Sequence, residues 1–267
     1  MAGVKEAVRQ TAYRLGLARA YFRLFEWRTA RREKTERPAH VDGAPLPPPY
    51  LIMLVSGTPD WKWFVESGRD TVKAFSEYAA EGGCSFEKAQ RILDLGCGCG
   101  RIARHLPAMT SAEIHGADYN PRLVRWCTAN LKGRFTRNKL HPPLPYPDAY
   151  FDVVYLVSVF THLRAETQRE WLAELRRVTR PGGVILITFH DEDQTTLPTA
   201  PEAKAALGKD GIHVANDHVQ GSNLMATFQT REHARATFGE QLEVVRIIPS
   251  TQTPVLQAVA ITRRPAD

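Results

Sequence analysis

The 267 residues include 35 Lys+Arg and 29 Asp+Glu, giving a formal net charge of +6, with 43% hydrophobic and 24% charged residues. Such a chain can bury a sizeable core over one or two domains, which excludes wholesale disorder, a collagenous fibre and a disulfide-stapled mini-protein. No apolar run approaches the ~18 residues of a membrane span. The opening MAGVKEAVRQ lacks the apolar core of a secretory signal. Cys84, Cys97, Cys99 and Cys127 read as reduced thiols of a cytoplasmic chain, with no metal site at zinc-finger spacing.

Charge is concentrated at the start. Residues 1–37 hold ten Lys+Arg and four Glu, whereas residues 38–267 hold 25 of each sign. Val4, Val8, Leu15, Ala18, Phe22 and Phe25 recur at helical intervals between the arginines, which predicts a basic amphipathic arm weakened at Gly16. That arm can pack on its own domain or a partner subunit. It can also rest on an anionic membrane surface at the inner face, or touch nucleic acid. Pro38, Pro45, Pro47, Pro48 and Pro49 mark an extended linker over 38–50, and the main domain is expected over 51–267.

Asp60 reads as the N-cap of a helix carrying Trp61, Trp63, Phe64 and Val65, followed by a second helix near 70–80 that ends at Gly82-Gly83. Strands then alternate with helices. A strand at 92–95 runs into a glycine loop and a helix from about Arg101. A strand at 113–118 precedes a helix over 121–131 with Pro121 in its first turn. FDVVYLVSV (151–159) is a strand buried on both faces, and an amphipathic helix over 166–179 stops at Pro181-Gly182-Gly183 before a strand at 184–189. This alternation predicts an α/β fold, a mostly parallel sheet with helices on both faces. Segments 242–248 and 256–262 read as an antiparallel pair closing the sheet.

The chemistry starts at Asp94-Leu95-Gly96-Cys97-Gly98-Cys99-Gly100-Arg101. Glycines after a strand let the backbone turn tightly and approach a ligand, and Asp118, ending the next strand, suits a ribose diol. A dinucleotide fingerprint needs a third glycine where Arg101 stands. Asp94 also suits a cofactor with a cationic amino-acid end, so the loop favours S-adenosylmethionine over NAD.

ILDLGCGCGR (92–101), GADYNP (116–121), PPLPYPDAYFDVVYLVSVFTHL (142–163) and WLAELRRVTRPGGVILITFH (171–190) together resemble the successive motifs of class I S-adenosylmethionine-dependent methyltransferases. They are most similar to a bacterial subgroup with an SVFTHL segment, whose members often accompany glycan or natural-product biosynthesis. The resemblance implies a Rossmann-like sheet of seven strands with the last reversed. It also implies that Gly96, Cys97, Gly98 and Gly100 line the methionine, with Asp94 near its ammonium. Asp118 would hold the ribose, Tyr119 would lie against the adenine, and Ser158 and Val159, ending the fourth strand, would floor the pocket. The acid that many relatives place in the third motif is absent from Asn138-Lys139-Leu140-His141-Pro142-Pro143, which leaves adenine recognition there unassigned.

His162 and His190 follow the fourth and fifth strands at the same sheet edge and are the candidate catalytic bases for a hydroxyl acceptor. The run Asp191-Glu192-Asp193 is expected to solvate a loop rather than bind metal. Residues 191–225 are expected to form a substrate lid, with acceptor selection there and in the 61–69 helix, where Trp61 and Trp63 either stack on a sugar or ring or pack against the domain. The expected acceptor is a small molecule or glycan. Nucleic acid is not the expected substrate, because Ser158-Val159-Phe160-Thr161 replaces the Asn/Asp-Pro-Pro-aromatic motif of base-amine methyltransferases. An RNA or protein methyltransferase docking through the arm, and a non-catalytic cofactor-binding module, are the alternatives.

Overall fold

A computed structural model describes residues 37–194, 201–221 and 225–266; the arm expected over 1–37 lies, but for Arg37, outside the described residues. The chain divides into two compact units between Val65 and Glu66. In the first, the proline-rich stretch read as an extended linker carries a two-residue hairpin, His40–Val41 with Ala44–Pro45. Helix α1 (Pro49–Ser56) follows, and Asp60 caps α2 (Trp61–Glu81) by accepting from Lys62 N at 2.9 Å and Trp63 N at 3.1 Å. The two helices expected around 61–80 are thus one. Gly68 is no break: a Cβ there would stand 2.0 Å from the Arg101 carbonyl oxygen, so this glycine serves close packing rather than a turn.

The second unit holds the sheet. Its strands are β1 (Arg91–Leu95), β2 (Glu113–Asp118), β3 (Arg134–Arg137), β4 (Phe151–Leu156) and β5 (Thr179–Phe189), then β6 (Ile212–Ala215), β7 (Ala226–Gln229), β8 (Glu243–Ile248) and β9 (Ala258–Arg263). Seven form one sheet in the order β8-β9-β5-β4-β1-β2-β3, while β6 and β7 pair separately as an antiparallel hairpin. Pairing is parallel from β5 through β4, β1 and β2 to β3, and β9 runs antiparallel to both β5 and β8. The expected reversal at the sheet's end is present. β3 was missed, because RFTR is short and arginine-flanked, without the apolar run that betrays a central strand.

Alternation along the strands makes two cores. Leu93, Val154, Leu156, Ile185 and Ile187 face helices α4 (Ala165–Val178) and α6 (Arg231–Gly239) through Trp171, Leu172, Leu175 and Phe238. Ile92, Val153, Tyr155, Leu186 and Ile261 face Val72, Phe75 and Ala79 of α2, together with Leu106. Each buried aliphatic contributes about 1.5–3 kcal/mol, which is why the central strands read as continuous apolar runs.

Local chemistry shifted several boundaries. The helix expected from Arg101 is a 3-10 segment, Ala103–Ala108, containing Pro107, which cannot donate into an α-helical ladder. Helix α3 (Pro121–Asn130) starts as expected, with Asn120 accepting from Arg122 N at 3.0 Å. β4 ends at Leu156, so Ser158 and Val159 lie in the turn beyond it rather than in the strand. β5 begins directly at Thr179, and Pro181-Gly182-Gly183 bulges within it, between the pairs Phe151–Thr179 and Val153–Val184. The insertion is structured where described: α5 (Pro201–Asp210) leads into the β6/β7 hairpin. No helix among the described residues is long and apolar enough to cross a membrane.

Candidate functional site

The loop after β1 is held against β2. Gly96 N and Cys97 N both donate to Ala117 O, at 2.7 and 3.1 Å. Gly96 and Gly98 adopt φ of +78° and +56°, which side chains disfavour, and a Cβ on Gly96 would stand 2.4 Å from Val159 Cγ2. The loop can therefore reach the turn after β4 only without side chains. Gly100 follows with φ +79°.

Asp118 joins the two motif fragments that lie far apart in sequence. Its Oδ2 accepts from Gly98 N at 2.9 Å and its Oδ1 from Asn120 N at 2.8 Å. Burial raises its pKa against the pull of these two donors. The next residue, Tyr119, is 48% exposed at the open edge. Removing the carboxylate takes away the acceptor that ties Gly98 N and Asn120 N together. Asp118→Ala is expected to weaken S-adenosylhomocysteine binding by about 1–3 kcal/mol in calorimetry, and unchanged affinity would remove Asp118 from the site.

Asp94 is buried beneath the same loop, level with Tyr155 across the β1/β4 pairing. Burial lifts its pKa to about 7, against the lowering effect of the Tyr155 hydroxyl and the Arg101 guanidinium. Arg101 reaches Ser67 Oγ at 3.3 Å and Thr71 Oγ1 at 3.4 Å. Cys97, expected among the cofactor contacts, turns its thiol inward: Sγ lies 3.1 Å from where a Cβ on Gly116 would stand. The neighbouring Cys127 thiol and burial hold Cys97 protonated, and Cys127 donates to Gly98 O at 3.4 Å. What Cys97 can offer a ligand is backbone.

Beyond β4, Ser158 has φ +58°, a costly conformation for a residue with a side chain. A ring of hydrogen bonds secures it. Ser158 N donates to Thr188 Oγ1 (2.8 Å), Thr188 donates to Gln257 Oε1 (2.6 Å), and Gln257 Nε2 donates to Ser158 Oγ (2.6 Å). Gln257 belongs to no local motif, so nothing in the sequence marked it.

His162 ends the 3-10 turn Phe160–His162. Its Nδ1 lies 2.6 Å from Met225 O, and a carbonyl only accepts, so Nδ1 carries the proton and Nε2 keeps its lone pair. Burial lowers its pKa and the Met225 carbonyl partly offsets this. His190 stacks on Phe228 with ring centroids 5.0 Å apart, and its carbonyl accepts from Gln229 N at 2.9 Å. Burial first, then the nearby His162, pushes its pKa down to about 4, against the pull of Asp191. Both rings are therefore neutral at neutral pH, and β7 is bonded to both segments. The insertion is tied down over His162: Gly221 N donates to His162 O (2.9 Å), Arg164 Nη2 to Asp217 O (2.8 Å) and Gln220 Nε2 to Thr167 Oγ1 (3.0 Å).

The acidic run after His190 does not solvate a loop. Asp191 is fully buried and accepts from Ser250 Oγ (2.5 Å) and Arg231 Nη1 (2.7 Å); the same arginine meets Asp193 at 2.6 Å and Glu192 at 3.0 Å. The three carboxylates clamp the start of α6.

A glycine loop after β1, a carboxylate at the tip of β2 and this strand order define a Rossmann-like domain built for a nucleoside-bearing cofactor. The site suits a cationic amino-acid end, since the buried Asp94 lies below a loop whose positive φ values leave room for close approach. Residues 93–187 match the family model described as a methyltransferase domain. The chain is 25% identical to the O-methyltransferase rstn1 of Aspergillus nomiae, over 53% of this chain and 73% of that one. It is 29% identical to an uncharacterized protein of Haemophilus influenzae, over 52% of this chain and 60% of that one. Other curated relatives are matched over less than half their length. The crystal structure of an S-adenosylmethionine-dependent methyltransferase from Mesorhizobium loti shares the fold, with TM-score 0.53, 15% identity, and 72% and 96% of the two chains covered. Residues 93–187 thus match a methyltransferase domain, and the fold is that of solved S-adenosylmethionine-dependent methyltransferases.

Proposed function

We propose that the chain methylates a small molecule or glycan at a hydroxyl. S-adenosylmethionine supplies, when bound, a methyl group already made electrophilic by its sulfonium, so the protein's task is to position a nucleophile and take its proton. The observation that carries the reading is His162, whose Nδ1–H is anchored on Met225 O so that Nε2 is left as the accepting nitrogen. A neutral imidazole matches the need of a hydroxyl nucleophile for a base working near pH 7. His190, also neutral and beside Phe228, would contact the acceptor, and the residues tied down over His162 would select it. Gly96, Gly98, Gly100 and Asp94 would hold the methionine end, Asp118 and Tyr119 the nucleoside, and Ser158 and Val159 the floor. The O-methyltransferase named among the relatives is compatible with a hydroxyl acceptor.

Asp94 makes the cofactor step testable. Its pKa in the folded chain, about 7, lies above the ordinary 3.8. Keeping Asp94 protonated therefore favours the ligand-free fold at low pH, and that contribution is lost as pH rises from about 4 through 7. An ammonium placed beside Asp94 favours the carboxylate. Binding should then release up to about one proton near pH 6, and affinity should rise with pH until about 7. Calorimetry of S-adenosylhomocysteine in buffers of different ionisation enthalpy checks this. Binding without proton release would separate Asp94 from the ammonium, and no binding at all would overturn the functional reading. S-adenosylhomocysteine production with hydroxylated acceptors tests the transfer itself.

A further inference from the structure

The neutral balance of residues 38–267 conceals a segregation. Between Asp118 and Asp148 the chain carries six Lys/Arg and no Asp or Glu, so the remainder of 38–267 carries a matching acidic excess. The six are Arg122, Arg125, Lys132, Arg134, Arg137 and Lys139, and every one is exposed. They follow one another along α3, its turn into β3, the strand β3 at the sheet edge and the residues just after it. Arg137 Nε donates to Tyr119 O at 3.3 Å, which brings the end of β3 back to the start of α3. Only Arg134 has an acidic neighbour among the described residues, Glu113, at a loose 3.9 Å.

A charged edge strand discourages strand addition, which accounts for Arg134 and Arg137 but not for Arg122, Arg125 and Lys132. Asp148, Asp152, Glu174, Asp191, Glu192 and Asp193 already hold arginines of their own, which removes these six as partners for the edge in a second copy of this chain. Discrete phosphates, as in a nucleic acid, are gripped by braced guanidinium groups, and these six side chains are almost unbraced. A diffuse sheet of negative charge asks only for their number and proximity.

We propose that the α3–β3 edge is an electrostatic docking surface for an anionic phospholipid bilayer. Each basic side chain near such a surface adds attraction that fades within a Debye length, so docking should be reversible and salt-sensitive. Co-sedimentation of the full chain with vesicles tests it, comparing phosphatidylcholine alone with phosphatidylcholine containing about one third phosphatidylglycerol. Binding is expected only with the anionic lipid and should be lost in high salt. The variant R122Q/R125Q/K132Q/R134Q should bind at least about tenfold more weakly. Its thermal midpoint and S-adenosylhomocysteine affinity should match wild type, and the separate pairs R122Q/R125Q and K132Q/R134Q should each show part of the loss. Undiminished vesicle binding by the fourfold variant would overturn the proposal. So would a wild-type chain that ignores the vesicles but binds a short oligouridylate.

Discussion

Gly98→Val is expected to reduce S-adenosylhomocysteine affinity by about 10²–10³-fold. Gly98 sits at φ +56°, where a β-branched side chain costs about 1–2 kcal/mol or more, so the backbone must leave that conformation. Leaving it breaks the 2.9 Å bond from Gly98 N to Asp118 Oδ2. A hydrogen bond to a charged group contributes about 1.5–3 kcal/mol, and here it also joins the two halves of the cofactor site. Gly98→Ala should show a smaller loss of the same kind. Calorimetry gives the affinity and thermal unfolding shows that the fold survives; binding within a few-fold of wild type would place the cofactor away from this loop.

His162→Ala is expected to lower turnover by about 10²–10⁴-fold while S-adenosylhomocysteine affinity stays within a few-fold of wild type. The ring has a second task, since its Nδ1–H holds Met225 O. His162→Asn separates the two, because an amide NH₂ can still donate to that carbonyl but cannot take a proton. Asn should preserve the thermal midpoint better than Ala and rescue no activity; a turnover restored by Asn would make His162 a positioning residue. In the wild type, burial keeps the imidazole pKa below its ordinary 6.5. The ring is therefore neutral at pH 7, and with His162 as the proposed base kcat/KM should fall only as pH drops below that value and the ring takes up a proton.

Both variants act where local pattern was already informative. The glycine loop, Asp118 and the two histidines follow short strands whose apolar runs are visible in sequence, and the parallel order places all those strand ends on one edge. Other parts of the site had no such signal. Gln257 acts on Ser158 from 99 residues away, both directly and through Thr188. Met225 orients His162 from 63 residues away. Arg231 turns an acidic run that resembled a solvated loop into a clamp anchored on the buried Asp191. Gly68 answers to the Arg101 carbonyl rather than to its neighbours in the chain.

The sequence by itself determined the strand–helix alternation, the sheet's reversed end, the glycine turn with its acid partner and the kind of cofactor they suit. Each of these depends on backbone freedom or periodic burial within a few residues, which is written locally. Tertiary structure alone decided the inward turn of the Cys97 thiol, the left-handed turn at Ser158 and the tautomer of His162. Those outcomes depend on which distant atoms meet, and burial sets their energies only once the chain has closed around them.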